Sequence, residues 1–563
     1  MFYEKIKVPA PTWCPECRMV RRFMFYNQHM LFRKKDEISG KELFSHIPPS
    51  SPVKIYEHDY WWSGHWDPMV YGREYEFSRP FLAQFHELLY AVPWPSQNAT
   101  QLINSDYCDH AGFLKNCYLC FDIGNSENCA YVIRGDGVTE SVDLYEARHT
   151  VLSYENYMSD EAYRVLFSVN CEECTEVWFS KNLLGCSHCF GCVNLRNKSY
   201  YIFNKPYTKE AYLAFISEFN SGSYWTVQET RKRAQEFWIK FPMRFTLAIR
   251  VENSTGEHIE KSRNLKFCYS VHGSENLSYC QFIDPPATDS YDCSSGFYGL
   301  SSSCDTLITG QESYGLRFGW MCWPSNHDLE YSVLCRSSSY LFGCVGLDKK
   351  QYCIFNKQYS KENYFALREK VIEHMNSMPY TDKQGRVYRY GEFFPPEFSP
   401  FAYNETITQD FFPLTKDEAI ARGYVWRDPE TREYRTTIDA KDLPDHIKDI
   451  NDAVLKEIIK CLFCGKAYRI IQMEFDFLRR MSLPLPRLCP NCRYLERIKH
   501  RNPPKFYHRR CTCRGTASEN GVYENQTSHF HGSTSCPNEF ETSFAPDRSE
   551  IVYCEQCYNV EVA

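Results

Sequence analysis

The sequence predicts a mostly β fold: a tandemly duplicated, β-solenoid-like central region with helical excursions, flanked by zinc-ribbon modules. Three observations carry this expectation. First, Phe190-Gly-Cys-Val-Asn-Leu195 recurs as Phe342-Gly-Cys-Val-Gly-Leu347, Ile202-Phe-Asn-Lys205 as Ile354-Phe-Asn-Lys357, and Tyr207-Thr-Lys-Glu210 as Tyr359-Ser-Lys-Glu362, always 152 residues apart. Second, short patches rich in Cys, Tyr, Val and Phe begin about every twelve residues within each copy, separated by Ser, Asn, Asp and Gly. Evenly spaced short strands of this kind stack into solenoids. Third, Cys461-Leu-Phe-Cys464 and Cys489-Pro-Asn-Cys492 flank a spacer of twenty-four residues, which suits a closed four-thiolate zinc site.

At 563 residues the chain is long enough for several cores. Five segments are expected: an N-terminal half-ribbon and aromatic segment (1–100), two solenoid copies (101–244 and 245–376), an extended strap (377–455) and a basic double zinc-binding module (456–563).

In the first segment, Cys14-Pro-Glu-Cys17-Arg18 repeats the form of Cys489-Pro-Asn-Cys492-Arg493. Cys14 and Cys17 therefore read as half a ribbon leading into a basic helix. No cysteine follows until Cys108, and His29, His46, His58 and His65 lack a paired spacing, so a metal there needs ligands from elsewhere. The run from Tyr60 to Asp67 is an aromatic cluster suited to a small core or to stacking on bases. Phe81, Leu82, Phe85, Leu88 and Leu89 mark a short amphipathic helix between Pro80 and Tyr90.

For the solenoid, two twelve-residue steps would form one coil of about twenty-four residues, with Cys, Tyr, Phe and Val stacked inward. An antiparallel sandwich also spaces its strands evenly, but it does not require like residues at each step. Cys171, Cys174, Cys186, Cys189 and Cys192 have metal-like spacing, yet Ser338 stands opposite Cys186 in the second copy. A metal needed by the fold would recur in both copies, so these thiols are read as core. Thr208 and Ser360 are expected to cap a helix ending each copy, and Thr226-Val-Gln-Glu229 to cap another near Val227 to Lys240. Asp136, Asp143, Glu146, His149, Asp284, Asp289 and Asp292 could supply a carboxylate pair for glycoside chemistry, although such residues are ordinarily solvated loop punctuation. In the strap, Lys416 to Arg422 is a short helix capped by Thr415 and ended by Gly423, and Asp445 to Ile459 is regular enough for another.

The last segment carries the strongest chemistry. Cys461, Cys464, Cys489 and Cys492 form one zinc site. Cys554 and Cys557, following a strand at Glu550 to Tyr553, anchor a second, with Cys511, Cys513, Cys536 and His531 of the Cys511-Thr-Cys513, His529-Phe-His531 and Cys536 cluster competing for two places. Two structural zinc ions are expected, and Cys14 with Cys17 would add a third. Four thiolates leave no open position for a reaction.

Charge is unevenly spread. From Lys456 to Arg514 there are fifteen Lys or Arg against four Asp or Glu, so this stretch carries +11 within a chain of net −7. Such asymmetry suits a polyanion, and Arg493, Arg497, Lys499, Arg501, Lys505, Arg509 and Arg510 are the candidate nucleic-acid contacts. The 28 cysteines, a start lacking the charged-then-apolar pattern of a signal peptide, and the lack of any membrane-length apolar run predict a cytoplasmic protein with no membrane partner.

Several of these motifs occur together elsewhere. Cys-Pro-x-Cys-Arg near the start, Trp-Trp-Ser with Trp-Asp-Pro, Gly-Cys-Val-Asn-Leu with Ile-Phe-Asn-Lys, Phe412-Pro-Leu-Thr-Lys416, Leu483-Pro-Leu-Pro-Arg487 and the Tyr-Cys-Glu-Gln-Cys-Tyr ending span nearly the whole chain. Their combination resembles an uncharacterised family of large cysteine-rich, multi-zinc-ribbon proteins frequent in reduced-genome bacteria of the candidate phyla radiation. The resemblance implies a cytoplasmic protein with several zinc knuckles and implies no activity. Many members carry further Cys-x-x-Cys pairs near Lys35 to Ser39 and Glu57 to Tyr60; this sequence has neither. The functional expectation is a non-enzymatic zinc scaffold that binds nucleic acid, RNA ahead of DNA, through its basic C-terminal module. The alternatives are a protein-binding solenoid scaffold and a carbohydrate-active enzyme using a solenoid groove.

Overall fold

The computed structural model describes residues 2–428 and 434–562. It has the expected mostly β architecture with a central solenoid, and strand pairing fixes the size of each coil. Ala99 pairs with Ala111, Asp109 with Phe121, Ala130 with Val142, Thr175 with Ser187 and Ser187 with Ser199, all in parallel and all twelve residues apart. One coil is therefore twelve residues, not twenty-four. Some coils of the second copy hold thirteen, as between Glu275 and Thr288 or Leu307 and Trp320.

The corners explain so tight a turn. His110, Phe113, Asn116, Leu119 and Asp122 have φ between 49° and 57°, and the pattern continues at almost every third residue through Phe203. Four left-handed corners, each three residues from the next, close a twelve-residue coil. L-residues lose about 1–2 kcal/mol in this conformation, so the ladder must compensate. In the twelve-residue coils the corner N–H donates to a carbonyl thirteen residues earlier: Asn128 to Lys115, Tyr131 to Tyr118 and Glu140 to Glu127, all at 3.0 Å. Asparagine tolerates such corners best among non-glycine residues, and side-chain ladders run from Asn104 to Asn116 (3.1 Å) and on to Asn128 (3.0 Å).

The same triplet fixes the core. The residue two positions before each corner points inward, so Cys108, Ala111, Leu114, Cys117, Cys120 and Ile123 form consecutive buried positions. Sixteen cysteines belong to the three inner clusters, which contain Ala, Val, Ile, Leu and Cys but no fully buried aromatic. Tyr and Phe instead stack along the outer faces, as Phe167 on Phe179 (4.8 Å between centroids) and Tyr340 on Tyr352 (5.2 Å). This corrects the expectation that aromatics point inward; a three-residue side leaves too narrow a bore.

Thiols suit that bore because they are small and can point at carbonyls. Cys117 Sγ lies 3.6 Å from both the Lys115 and Ser126 oxygens. Serine does the same and more: Ser126 Oγ donates to the Gly124 oxygen and accepts the Val138 N–H at 3.0 Å. Cys171→Ser or Cys189→Ser should therefore leave metal content unchanged and lower stability by only about 1 kcal/mol. Cys189→Phe overfills the bore and should cost ~1–3 kcal/mol or more. Metal analysis and urea unfolding check both.

The duplicated motifs are the end of each solenoid. Gly191 and Gly343 are left-handed (φ 66° and 64°), and a Cβ there would come within 2.7 Å of the Phe203 ring and 2.8 Å of the Phe355 ring on the next coil. Asn204 then closes the stack: its side chain accepts the Val193 N–H and donates to the Val193 oxygen, both at 2.9 Å. Asn356 does the same to Val345 at 2.8 Å. The chain folds back as an antiparallel strand (Lys205–Pro206 and Lys357–Gln358) and enters a helix capped by Thr208 or Ser360, as expected.

The Phe81–Ala91 helix and the Lys416–Ala421 helix with its Thr415–Glu418 capping box form as expected. The Tyr224–Trp238 helix is capped by Ser223 rather than Thr226, because Asp445 accepts the Ser223 hydroxyl (2.6 Å) and the Trp225 N–H (3.0 Å). Asp445 to Ile459 is not one helix but two 3-10 turns, Ile447–Asp449 and Asp452–Lys456; Asn451 takes the Ala453 N–H at 2.9 Å and starts a new cap. Trp61 is buried against Trp62 and Trp66, so this aromatic cluster is core. Among the described residues no helix is long and apolar enough to cross a membrane.

Candidate metal centres

The Pro490–Ile498 helix begins at Cys489, its N-cap, with Pro490 in the first turn where a missing N–H costs nothing. This brings Cys489 and Cys492 to the Cys461–Cys464 knuckle, where all four sulfurs lie within 4.8 Å of one another. Cys464 and Cys489 are 3.7 Å apart, close to the ~3.8 Å edge of a tetrahedron with 2.3 Å metal–sulfur bonds. The Cys489 N–H donates to Cys461 Sγ (3.3 Å). Burial opposes ionisation of Cys461, but the backbone N–H groups of Cys464, Cys489 and Phe463 outweigh it and bring the thiol down to about 7. None of the 28 cysteines is joined in a disulfide.

The second centre gathers more donors than one ion needs. Cys511, Cys536, Cys554 and Cys557 form one group, and Cys513, His529, His531 and Cys557 another. Every expected ligand of this region is therefore present, together with His529, which was not among them. Its signal was the His-x-His spacing, and the turn that begins at Phe530 brings both imidazoles to the same cluster. Cys14 and Cys17 are exposed, and the Cys17 N–H reaches Cys14 Sγ at 3.3 Å as in a knuckle. Among the described residues they belong to no group of three or more potential ligands.

The two Cys-Pro-x-Cys-Arg helices share a different role: each packs against a solenoid. Arg493 pairs with Asp143 and with Glu474 (2.7 Å), and Arg497 with Asp143 (2.7 Å), all buried. On the N-terminal Pro15–Phe23 helix, Arg18 pairs with Asp292 (2.9 Å), Arg21 with Asp305 (3.0 Å) and Glu392 (2.9 Å), and Arg22 with Asp305 (2.7 Å). Asp143, Asp292 and Asp305 all stand at left-handed solenoid corners (φ 60°, 56° and 49°).

This placement bears on the expected nucleic-acid contacts. Arg493, Arg497 and Arg501 are buried, Arg501 lying 3.6 Å above the Phe411 ring. Arg509 is half-buried and donates to the Phe544 and Ala545 carbonyls. Lys499 pairs with Glu496, Lys505 with Glu16 and Arg510 with Glu539. Of the seven, Arg493, Arg497 and Arg501 are thus engaged inside the molecule, whereas Lys499 and Arg510 remain at the surface.

The solenoid carboxylates are similarly engaged. A cleft between the copies is lined by Asp122, Asp136, Glu146 and Asp284, but Asp122 pairs with Arg134 (2.8 Å) and Asp284 with Arg148 (2.7 Å), while Glu146 accepts from Ser270. No protein-family model matches the chain, and no curated protein matches it in sequence.

Proposed function

We propose that the chain is a non-enzymatic, zinc-clasped β-solenoid scaffold of the cytoplasm that binds nucleic acid, RNA ahead of DNA, through the tip of its first C-terminal ribbon. One observation supports this most: Phe463, at the turn of the knuckle, is 74% exposed beside Leu462 at 48%. Lys460, Lys466 and Arg469, on the chain entering and leaving the knuckle, are exposed as well. An exposed apolar tip on a cationic hairpin can stack under a base while neutralising phosphates. The four-thiolate donor set favours zinc over harder cations. Membership of the cysteine-rich family is part of the same proposal and rests on its motifs.

Titration of fluorescent single-stranded RNA and DNA at several salt concentrations tests the reading. Affinity should fall steeply with salt, and Phe463→Ala should weaken binding by about 1–3 kcal/mol. Lys466→Ala should reduce the salt slope by about 0.7. If neither nucleic acid binds in a salt-dependent way, the reading is wrong.

A further inference from the structure

We propose that the second C-terminal centre is binuclear: two divalent metal ions joined by the Cys557 thiolate. The two donor groups share that residue and no other, giving five sulfurs and two imidazole nitrogens in all. One four-coordinate ion held by Cys511, Cys536, Cys554 and Cys557 would leave Cys513, His529 and His531 converged on Cys557 with nothing to bind. A second ion uses all three and completes its tetrahedron with the shared sulfur.

The separations fit this arrangement. Cys536 lies 3.8 Å from Cys554 and 3.7 Å from Cys557, against ~3.8 Å for the S–S edge of a zinc tetrahedron. Cys513 Sγ is 3.5 Å from His529 Nδ1, and Cys557 Sγ is 3.3 Å from His531 Nε2. A mixed sulfur–nitrogen edge should be about 3.5 Å with ordinary zinc bond lengths.

An independent observation comes from the outer side of the imidazoles. Metal-bound histidines hold their second nitrogen with a carboxylate or a carbonyl, which fixes the tautomer and frees the other lone pair. His529 Nε2 lies 3.0 Å from Glu561, with both side chains fully buried. His531 Nδ1 lies 2.7 Å from the Thr534 carbonyl. With that nitrogen held by its oxygen acceptor, each ring presents its other nitrogen to the Cys513–Cys557 side. Glu561 lies one turn after Cys557 on the same Glu555–Val562 helix, so one helix carries the bridge and orients a ligand of the second ion. Donors to sulfur complete the shell: Asn525 Nδ2 and the Gly515 N–H reach Cys513 Sγ at 3.2 and 3.4 Å, and Asn538 Nδ2 reaches Cys554 Sγ at 3.3 Å.

The test is cadmium loading of the full chain, with metal counting and cadmium-113 NMR. Three ions per chain are expected, one in the first ribbon and two here, unchanged by Cys14→Ser. Two of the three resonances should be split by coupling through the shared sulfur. His529→Ala should lose one ion and the splitting, leaving the four-sulfur resonance. Two ions per chain, or three with no splitting in the unmodified protein, overturns the proposal, and this readout does not depend on whether any variant folds. It is also independent of nucleic-acid binding.

Discussion

Chelation of the C-terminal metals should unfold the module around the second centre, about residues 507–562, while the solenoid coils keep their strands. Structural zinc contributes about 10–16 kcal/mol to the folding of small modules at neutral pH. The second centre's core shows why: its buried cluster consists largely of Cys511, Cys513, Cys536, Cys554 and Cys557, with Ile551, Tyr553 and Tyr558. Without metal the thiols have little apolar packing to replace it. The solenoid copies, by contrast, are held by ladder hydrogen bonds and three inner clusters that include no metal-ligating group among the described residues. Limited proteolysis after chelation should remove that module and leave a resistant core that contains the solenoid. Far-UV circular dichroism should retain the strand signal. Equal protease resistance with and without metal would refute this division.

Arg493→Ala should be the most damaging single substitution outside the metal sites, at about 3–5 kcal/mol. It leaves Asp143 and Glu474 buried with too little positive charge. Burial already pushes the Asp143 carboxyl above the usual range despite Arg493 and Arg497, and burial pushes Glu474 up likewise despite Arg493. The pH dependence follows from which state holds more protons. A carboxyl raised in the folded protein binds protons there before it does in the unfolded chain, so stability falls as pH rises from the ordinary carboxylate value of about 4 through the raised one. Removing Arg493 raises both acids further and steepens that loss. The deficit of the variant should therefore shrink on acidification toward about pH 4, and Asp143→Asn should recover part of it at neutral pH. Urea unfolding at several pH values checks both; a deficit independent of pH would mean that lost packing, not charge, is responsible.

The sequence displayed the solenoid through its duplication and its twelve-residue beat, and it displayed the metal ligands through paired cysteines. The smaller period stayed hidden. A three-residue side lets any small residue occupy the inward place, so Cys, Ala, Ser, Val and Leu alternate without a fixed motif, and the corners accept Phe, Leu or Arg as well as Asn. The inward-facing part of the basic stretch stayed hidden for a related reason. Charge counts along a chain do not show which arginines meet a buried acid, and Asp143 is about 350 residues from Arg493 in sequence. The His529-Phe-His531 spacing pointed to both imidazoles, but only Glu561 behind His529 distinguishes that ring as a ligand.

The terminal asparagines have a consequence for self-association. Identical parallel rungs, each ready to accept another, are the geometry of a fibril, and an open rung of this solenoid would recruit a neighbouring chain as readily as its own. Asn204 and Asn356 satisfy backbone groups the last coil would otherwise offer, and Pro206, which has no N–H, sits on the strand folded back over the first copy. The repeated Ile-Phe-Asn-Lys is thus what stops each stack: two small end-stops keep a potentially endless polymer at a fixed length.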